Sequence, residues 1–224
     1  MIAIFDVEGV LVDGEFLPEL ARFVGKEDEA REITLKGIRG EIPWQRGLAQ
    51  RVDLVKGVTH QQCMRVANSL PMMKGAVEMT EHLKKMGCLM VGVSGGFSLL
   101  TNRVKSELGL DHVFSNELVF HDGKLVGYGL LVNENKAQIL RTAFGDMFGG
   151  MRKIAVVDGA NDVDLFDTVD MRVAFNAQDI VKRRADVKLE GKDLKPVVSI
   201  ARNELEKEKA QAGTHHGAAA SEKR

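Results

Sequence analysis

The feature of this chain that most restricts its fold is a set of four short apolar runs that end in small or acidic residues. Continuous apolar runs of this length are typical of strands in a parallel sheet that is covered on both faces. Segments with helical periodicity lie between them, which favours a doubly wound, mainly parallel α/β core. The apolar runs cover residues 2–7, 88–96, 153–162 and 171–176, and the helical segments cover residues 75–87, 97–110 and 136–148.

A long interruption follows the first apolar run. Residues 14–73 contain helical stretches but no convincing strand, which predicts a small helical domain inserted into the α/β core. The core domain then consists of residues 1–13 and 74–202. Within it, an Asp-Gly pair between alternating apolar residues predicts a β-hairpin near residues 116–131. Residues 203–224 are polar, small and repetitive, and we expect them to form a frayed helix end and a disordered tail.

The composition restricts the partners that we expect for this chain. Hydrophobic residues make up 44% and charged residues 28% of the sequence, which is typical of a globular protein. The 31 basic and 32 acidic residues leave a net charge of -1, which provides no field that attracts nucleic acid or an anionic membrane. The aromatic content of 5% also argues against a base-stacking surface. We therefore expect no nucleic acid and no membrane as partners, and a monomer or homodimer.

The cysteines and the amino-terminal residues predict a cytoplasmic location. Cys63 and Cys88 are the only cysteines, and neither belongs to a CxxC pair, which indicates a reducing compartment. The amino-terminal residues lack the basic segment and the long apolar stretch of a signal peptide. No uninterrupted apolar stretch approaches the roughly 18 residues that a membrane span requires.

Two carboxylates follow the first apolar run. Asp6 and Glu8 flank Val7, and the alternation of a strand would direct both acidic side chains to the same face. Like charges at short distance are costly unless a cation or a shared proton relieves them. The alternative interpretation is an exposed strand end with a turn at Gly9.

Polar groups also follow the second apolar run and begin a later helical segment. Ser94 precedes Gly95 and Gly96, whose backbone can approach an anion closely, as phosphate-binding turns require. Lys136 begins the helical segment that follows the predicted hairpin. Both features have ordinary alternatives, because an SGG sequence is common in plain turns and such a lysine is usually solvated.

The third apolar run ends in the sequence DGAND, which covers residues 158–162. Asp158 and Asp162 lie four residues apart at a strand-to-helix turn, and Asn161 lies between them. Oxygen ligands in this arrangement are typical of a site for a hard cation such as Mg²⁺. A helix N-cap is the alternative role for either aspartate.

The order of these pieces along one α/β chain resembles the haloacid dehalogenase superfamily, and specifically its phosphoserine phosphatases. The sequences VSGGF at residues 93–97 and DGAND at residues 158–162 are the most specific parts of the resemblance. The resemblance covers roughly residues 1–200 and includes the helical insertion, which matches the small cap domain of that family. It implies a Rossmann-like core sheet with an inserted helical cap over residues 14–73.

The chain departs from the usual family pattern at a few positions. Glu8 stands where the first motif normally has its second aspartate, and Val10 stands where that motif has threonine. Val157 replaces a glycine before the acidic turn, and Trp44 replaces a smaller aromatic residue in the cap. A first motif with glutamate also resembles a related subgroup of phosphatases and homoserine phosphotransferases.

The resemblance implies a role for each polar group at the strand ends. Asp6 would be the nucleophile that accepts the phosphoryl group, and Glu8 would donate and accept the protons of the reaction. Aspartate and glutamate have similar intrinsic pKa values of about 3.9 and 4.3, so Glu8 preserves the chemistry of the usual aspartate. The implied cofactor is Mg²⁺, and its ligands would be Asp6, the backbone carbonyl of Glu8, Asp158 and Asp162.

The resemblance also implies two groups of binding residues. A small phosphorylated amino acid or a similar phosphomonoester is the implied substrate, held by its phosphoryl group in the core and by its amino-acid part in the cap. Phosphoryl binding falls to Ser94, Gly95, Lys136 and Asn161, and recognition of the rest of the substrate falls to Glu15, Ile38, Trp44 and Arg51. For Glu15 and Arg51, a solvated helix face is the alternative interpretation.

The function implied by the resemblance is a Mg²⁺-dependent phosphatase that converts O-phospho-L-serine to L-serine and phosphate in serine biosynthesis, through an aspartyl-phosphate. One alternative keeps this chemistry but transfers the phosphoryl group to homoserine or another small alcohol, and Glu8 favours it. Another alternative, from a different class, is a catalytically weak binding or regulatory protein on the same fold.

Overall fold

A single sheet forms the centre of the computed structural model, which describes residues 1–38, 41–132 and 135–221, apart from the side chains of Ile38 and residues 211–221. Within this part of the chain, the sheet has seven strands in the order β4-β3-β2-β1-β5-β6-β7. Each neighbouring pair is parallel except β3 and β4, which confirms the predicted α/β core. The strands are β1 Ile2–Phe5, β2 Leu89–Phe97, β3 His112–His121, β4 Lys124–Gly129, β5 Lys153–Val157, β6 Met171–Phe175 and β7 Val187–Leu189.

The continuous apolar character of β1 follows from burial on both faces of the sheet. Ile2 and Ile4 belong to the apolar cluster on one face, whereas Ala3 and Phe5 belong to the cluster on the other face. Because successive side chains of a strand point to opposite faces, a strand covered on both sides needs an apolar residue at every position. The central position of β1 therefore explains its sequence.

The strand order places a topological switch point at β1. This strand pairs with β2 on one side and with β5 on the other. The strands β2 to β4 extend the sheet on one side of β1, and the strands β5 to β7 extend it on the other side. In open α/β sheets, a crevice forms outside the carboxyl ends of the strands at such a point. Asp6 directly follows β1 and therefore lies at the mouth of this crevice.

Helices flank the sheet, and four of the helices that the structure describes lie within residues 14–73. In the described part of the chain, no helix combines the length and the apolar character needed to cross a membrane. The helices are α1 Phe16–Phe23, α2 Glu27–Ile38, α3 Trp44–Leu54, α4 His60–Ser69, α5 Ala76–Lys85, α6 Ser98–Leu108, α7 Lys136–Phe144, α8 Asp146–Gly150, α9 Asp179–Arg184 and α10 Pro196–Ser221, with a 3₁₀ helix at Ala160–Asp167.

The helical insertion, defined here as α1–α4, makes hydrogen bonds to the core near α4, among other contacts. Arg103 of α6 donates hydrogen bonds from Nη1 to the carbonyls of Ala67 (2.6 Å) and Leu70 (2.7 Å), which end α4. Leu125 of β4 exchanges backbone hydrogen bonds of 2.8 Å with Gly57 and Val58, between α3 and α4. These contacts hold α4 and its preceding loop against the core, whereas α2 and α3 lie over the crevice.

The hairpin predicted near residues 116–131 is present as β3 and β4. Its turn is Asp122–Gly123, and both residues have positive φ angles, of 47° and 72°. Two consecutive positive φ angles are characteristic of the tight turns that join antiparallel strands, and an Asp-Gly pair tolerates them well. The hairpin prediction is confirmed.

Two predictions need correction. The helix predicted over residues 136–148 is two helices, because Gly145 adopts a positive φ of 52° and ends α7 before α8 begins. Residues 203–210, for which we expected a frayed helix end leading into a disordered tail, are an intact part of α10. Glu204 is only 1% exposed there and pairs with Arg152 at 2.6 Å, so this stretch packs against the core.

Candidate active site

A cavity of about 510 Å³ opens where the carboxyl ends of the central strands face the helical insertion. Its floor is formed by strand-end residues and by the DGAND turn, and its roof by α1–α3. The acidic and phosphate-binding candidates from different parts of the sequence therefore meet in one place. Of the predicted site residues, those that line the cavity are Asp6, Glu8, Glu15, Trp44, Arg51, Ser94, Gly95, Asp158 and Asn161.

Lys136 lies directly behind the cavity wall and contacts Asp6. Its side chain is 1% exposed, and Nζ donates hydrogen bonds to Oδ1 of Asp6 (2.9 Å) and to the carbonyl of Val93 (3.2 Å). Nζ also forms an ion pair with Asp162. A solvated role for Lys136 is therefore wrong, because its helix starts at the buried end of the crevice and directs the side chain inward.

The two oxygens of Asp6 have different surroundings. Oδ1 accepts hydrogen bonds from Lys136 and from the backbone N–H of Val7 (2.8 Å). Among the described residues, Oδ2 has no hydrogen-bond donor. One oxygen is thus held in place, and the other is available to react or to bind a cation.

Three carboxylates form an acidic cluster around Lys136. One oxygen from each of Asp6, Asp158 and Asp162 lies within 4.8 Å of the others. Burial, together with the charge of Asp6, raises the pKa of Asp158 to about 8 and raises that of Asp162 well above its ordinary value. Burial alone would lower the pKa of Lys136, but Asp162 and Asp6 outweigh it and raise this pKa. One lysine does not neutralise three clustered carboxylates.

The acidic cluster has the character of a hard-cation site. Oδ2 of Asp162 is buried without a hydrogen-bond partner among the described residues. A buried carboxylate oxygen without a donor is costly unless another positive group satisfies it. Three clustered carboxylates that include such an oxygen match the oxygen ligands that hard divalent cations prefer. The N-cap alternative fails for Asp158, because Gly159 occupies the cap position of the 3₁₀ helix.

The turn after β1 brings the first motif against the DGAND turn. Gly9 has a φ of 80°, and a Cβ at this position would lie 2.2 Å from Oδ2 of Asp158. A side chain here would therefore need both a strained backbone and a displaced Asp158. The glycine of the first motif is thus required by the close approach of the two acidic turns.

Glu8 is held between the helical insertion and the Ser94–Gly96 loop. Its Oε2 accepts a hydrogen bond of 2.7 Å from the backbone N–H of Phe16, the first residue of α1. A Cβ on Gly96 would lie 1.7 Å from Oε1 of Glu8, so the carboxylate fills the space that glycine leaves. Burial raises the pKa of Glu8 to about 7, although the Phe16 N–H lowers it.

The Ser94–Gly96 loop interrupts the ladder between β2 and β3. Ser94 is buried, and its Oγ accepts a hydrogen bond of 2.9 Å from the N–H of Gly96. This bond leaves the hydroxyl hydrogen of Ser94 free to donate toward the cavity. On the opposite side, Nδ2 of Asn161 donates to Oδ1 of Asp162 (3.3 Å). Polar hydrogens from two strand ends thus converge near Asp6.

The roof of the cavity carries charges of both signs. Arg51 is partly buried, and its Nε donates a long hydrogen bond of 3.3 Å to the carbonyl of Gly47. Burial lowers the pKa of Arg51, whereas the nearby carboxylates of Glu15 and Glu8 raise it. Trp44, also in α3, lines the same cavity. Ile38, the remaining predicted cap residue, has a side chain outside the described residues.

Sequence reasoning missed some residues of the site. Asp164 lines the cavity, and its Oδ2 accepts a hydrogen bond of 3.3 Å from the N–H of Ala137, beside Lys136. Gln178 also lines it and donates its backbone N–H to the carbonyl of Asp158 (2.9 Å). The second acid in ANDVD was a usable signal for Asp164. The position of Gln178 depends on tertiary packing, and its local sequence carries no such signal.

Comparison with known proteins is consistent with this geometry. The model of the haloacid dehalogenase-like hydrolase family matches residues 1–167. A phosphoserine phosphatase of Methanocaldococcus jannaschii is 34% identical over 201 residues, which cover 88% of this chain and 95% of the relative. A phosphoserine phosphatase of Wolinella succinogenes is 33% identical over 203 residues, which cover 88% of this chain and 98% of the relative.

Solved structures of phosphoserine phosphatases are also similar to this chain. A phospho-aspartyl intermediate analogue of phosphoserine phosphatase superposes with a TM-score of 0.82 at 32% identity and covers 89% of this chain and 97% of that one. A substrate-bound phosphoserine phosphatase complex gives the same TM-score, identity and coverage. The similarity extends over both the sheet and the helical insertion, since these make up most of the chain.

Proposed function

We propose that this chain, which belongs to the haloacid dehalogenase-like hydrolases, is a phosphomonoester hydrolase whose substrate is O-phospho-L-serine. The observation that carries this proposal is the arrangement of Asp6 at the switch point of the sheet. One of its oxygens is fixed by Lys136, and the other is available beside an acidic cluster at the floor of the cavity. The similarity to a phospho-aspartyl intermediate analogue supports Asp6 as the nucleophile.

The proposed reaction has two steps. In the first, Oδ2 of Asp6 attacks the phosphorus, the bond from phosphorus to the serine oxygen breaks, and Glu8 donates a proton to that oxygen. In the second, Glu8 accepts a proton from water as the water oxygen attacks the phosphorus of the aspartyl-phosphate. Phosphate leaves, and Asp6 returns as a free carboxylate. A pKa of about 7 suits Glu8 to both proton transfers near neutral pH.

The acidic cluster supports Mg²⁺ as the cofactor. Asp6 and Asp158 would supply carboxylate ligands, Glu8 its backbone carbonyl, and Asp162 a neighbouring carboxylate. The partnerless oxygen of Asp162 and the raised pKa of Asp158 are consistent with a site completed by a cation. When bound, Mg²⁺ offsets the negative charge of the phosphoryl group during transfer.

The phosphoryl group itself would be held by residues around Asp6. The free hydroxyl hydrogen of Ser94, the backbone of Gly95 and the amide of Asn161 face the cavity, and Lys136 supplies positive charge from behind. Donors aimed at the phosphoryl oxygens stabilise the charge that is spread over them during transfer. This assignment follows from position, since Ser94, Gly95 and Asn161 line the floor of the cavity and Lys136 lies directly behind it.

The helical insertion would act as the cap that recognises the rest of the substrate. We assign residues 14–73 to this cap and residues 1–13 and 74–202 to the catalytic core. In the roof, Arg51 would bind the substrate carboxylate, and Glu15 would bind the ammonium group. Trp44 would form an apolar wall, and Ile38 is assigned to the same wall from the sequence resemblance alone.

The test of this proposal is phosphate release from a panel of small phosphomonoesters in the presence of Mg²⁺. Phosphoserine should be hydrolysed best, and Asp6→Asn should abolish turnover because it removes the attacking charge with little change in shape. Asp13→Asn is the matched control, since Asp13 is a nearby carboxylate that pairs with Lys192 outside the cavity. Normal phosphate release by folded Asp6→Asn protein would overturn the mechanism.

A second candidate function differs only in the acceptor. Glu8 favours transfer of the phosphoryl group to homoserine or another small alcohol, because this variant resembles the first motif of a phosphotransferase subgroup. Incubation of the enzyme with phosphoserine and homoserine separates the two reactions. A hydrolase releases one phosphate per serine formed, whereas a phosphotransferase forms serine and a new phosphoester in equal amounts.

A further inference from the structure

The side chain of Asn116 in β3 is fully buried beneath the Ser94–Gly96 loop, and it does not line the cavity. Its Nδ2 donates a hydrogen bond of 2.9 Å to the carbonyl of Gly95. Its Oδ1 accepts two hydrogen bonds of 2.8 Å, from the backbone N–H groups of Leu131 and Val132. One amide group therefore connects two backbone segments that are far apart in sequence.

The first of these segments is the irregular part of β2. In the ladder with β3, Val93 pairs with Phe114 and Phe97 pairs with Asn116, so β2 advances four residues while β3 advances two. The residues between Val93 and Phe97 thus leave the regular ladder, and their carbonyls lose ladder partners. Asn116 supplies a partner for the carbonyl of Gly95, which fixes the shape of this loop.

The second segment consists of Leu131 and Val132, which follow β4 and precede in sequence helix α7, whose first residue is Lys136. The Nζ of Lys136 itself bonds to the carbonyl of Val93, the residue directly before the loop. Lys136 therefore contacts the chain directly before the Ser94–Gly96 loop, beside Asp6, whereas Asn116 contacts the middle of the loop from behind the cavity wall.

We infer that Asn116 is a positioning residue for phosphoryl binding, which holds the Ser94–Gly96 loop in place against the backbone of Leu131 and Val132. The inference rests on the proposed phosphatase function and deepens it. Asn116 touches neither the cavity nor Asp6, so it acts through the groups that it holds. Its loss should affect every phosphomonoester equally, because the phosphoryl group is the part that all substrates share.

The experiment compares Asn116→Ala and Asn116→Asp with the wild-type chain in Mg²⁺. The aspartate keeps the acceptor for Leu131 and Val132 but loses the donor to Gly95. Ser115→Ala is the matched control, because Ser115 is the buried neighbour on the same strand and loses only a 2.8 Å hydrogen bond to Thr101. The readouts are kcat/KM for phosphoserine and p-nitrophenyl phosphate, the affinity for inorganic phosphate, and the melting temperature.

Both Asn116 variants should lower kcat/KM for the two esters by the same factor, of about tenfold or more. They should also weaken the binding of inorganic phosphate to a similar degree. Ser115→Ala should leave these values within about threefold of wild type despite its own loss of stability. Wild-type phosphate affinity in a folded Asn116 variant would overturn the inference. The inference would also be overturned if Ser115→Ala lost as much kcat/KM and phosphate affinity as the Asn116 variants. The same holds if both Asn116 variants were unfolded while Ser115→Ala was folded, because Asn116 would then serve general stability.

Failure of the proposed function gives a different result. If the wild-type chain releases no phosphate from either ester, the phosphatase proposal fails. Binding of inorganic phosphate, measured by calorimetry on wild type and variants, then decides the role of Asn116 without any turnover.

Discussion

Replacement of Arg51 by alanine tests the part of the site that depends most on the helical insertion. Arg51 lies in α3, lines the cavity, and has one long hydrogen bond of its own, from Nε to the carbonyl of Gly47 at 3.3 Å. The rest of its guanidinium is therefore able to donate to a ligand. If it binds the carboxylate of phosphoserine, the contact is made to a part of the substrate that does not react.

The expected loss follows from the kind of contact. A charge-assisted hydrogen bond contributes about 1.5–3 kcal/mol, which corresponds to roughly a ten- to hundredfold change in kcat/KM. Arg51 is partly exposed, so solvent screens its charge and the lower half of this range is expected. The loss should appear mainly in KM, because the interaction is the same in the ground state and the transition state.

The assay compares phosphoserine with p-nitrophenyl phosphate, which has neither a carboxylate nor an ammonium group. Arg51→Ala should lower kcat/KM for phosphoserine by this factor and change p-nitrophenyl phosphate little. Arg46→Ala is the matched control, since Arg46 is an exposed arginine of the same helix that does not line the cavity. It should leave both substrates unaffected.

Two results would refute the reasoning. An equal loss on both substrates would show that Arg51 supports the structure of the insertion and does not recognise the substrate. No loss on either substrate would leave the phosphatase chemistry in place but would remove phosphoserine as the expected substrate.

Further predictions concern the metal, pH and the thiols. The pKa of Asp158 is raised to about 8 in the metal-free folded protein. Between about pH 4 and 8 the folded protein therefore binds more protons than the unfolded chain. Its unfolding free energy consequently falls as pH rises through this range. Mg²⁺ should therefore raise the melting temperature more at pH 8 than at pH 6, and equal shifts would contradict this. Calcium should support phosphate release poorly, since its larger shell tends to bind both oxygens of Asp6; full activity in calcium or in EDTA would count against the metal site. Burial raises the pKa of Cys63 to about 11, and Cys88 is also buried, so a thiol reagent should label native protein slowly and denatured protein fast. Fast labelling of native protein would contradict their burial.

Most of the sheet could be predicted because burial on both faces leaves a direct mark on the sequence. Each residue of β1 is apolar and fully or almost fully inaccessible, and this pattern needs no knowledge of distant contacts. The short strand β7 was missed because its three residues, Val187–Leu189, are only partly buried or exposed. The tail was misjudged because its packing depends on Glu204, whose partner Arg152 lies 52 residues away. A polar sequence carries no sign of such a partner.

In the site, too, residues marked by a local sequence pattern could be predicted, and residues that depend on distant contacts could not. Asp6 and Asp158 were predictable because each directly follows an apolar strand, and Ser94 because it follows the apolar, regularly paired part of β2. Parallel strands place these positions along one edge of the sheet. Asn116 was not predictable, because it lies inside a strand and its importance comes from two backbone segments that approach it in space. Residues that position others without touching the cavity leave little trace in a single sequence.

The longer side chain of Glu8 shows how the fold absorbs a departure from the usual motif. The additional methylene of glutamate could move the carboxyl group away from the reacting oxygen, and a misplaced general acid lowers the rate strongly. Here the backbone N–H of Phe16 holds Oε2, and the missing side chain of Gly96 makes room for Oε1. The carboxylate is therefore fixed by the first helix of the insertion on one side and by the Ser94–Gly96 loop on the other. Burial in this position raises its pKa to about 7, where a carboxyl group can both give and take a proton, so the substitution is compatible with the proposed acid–base role.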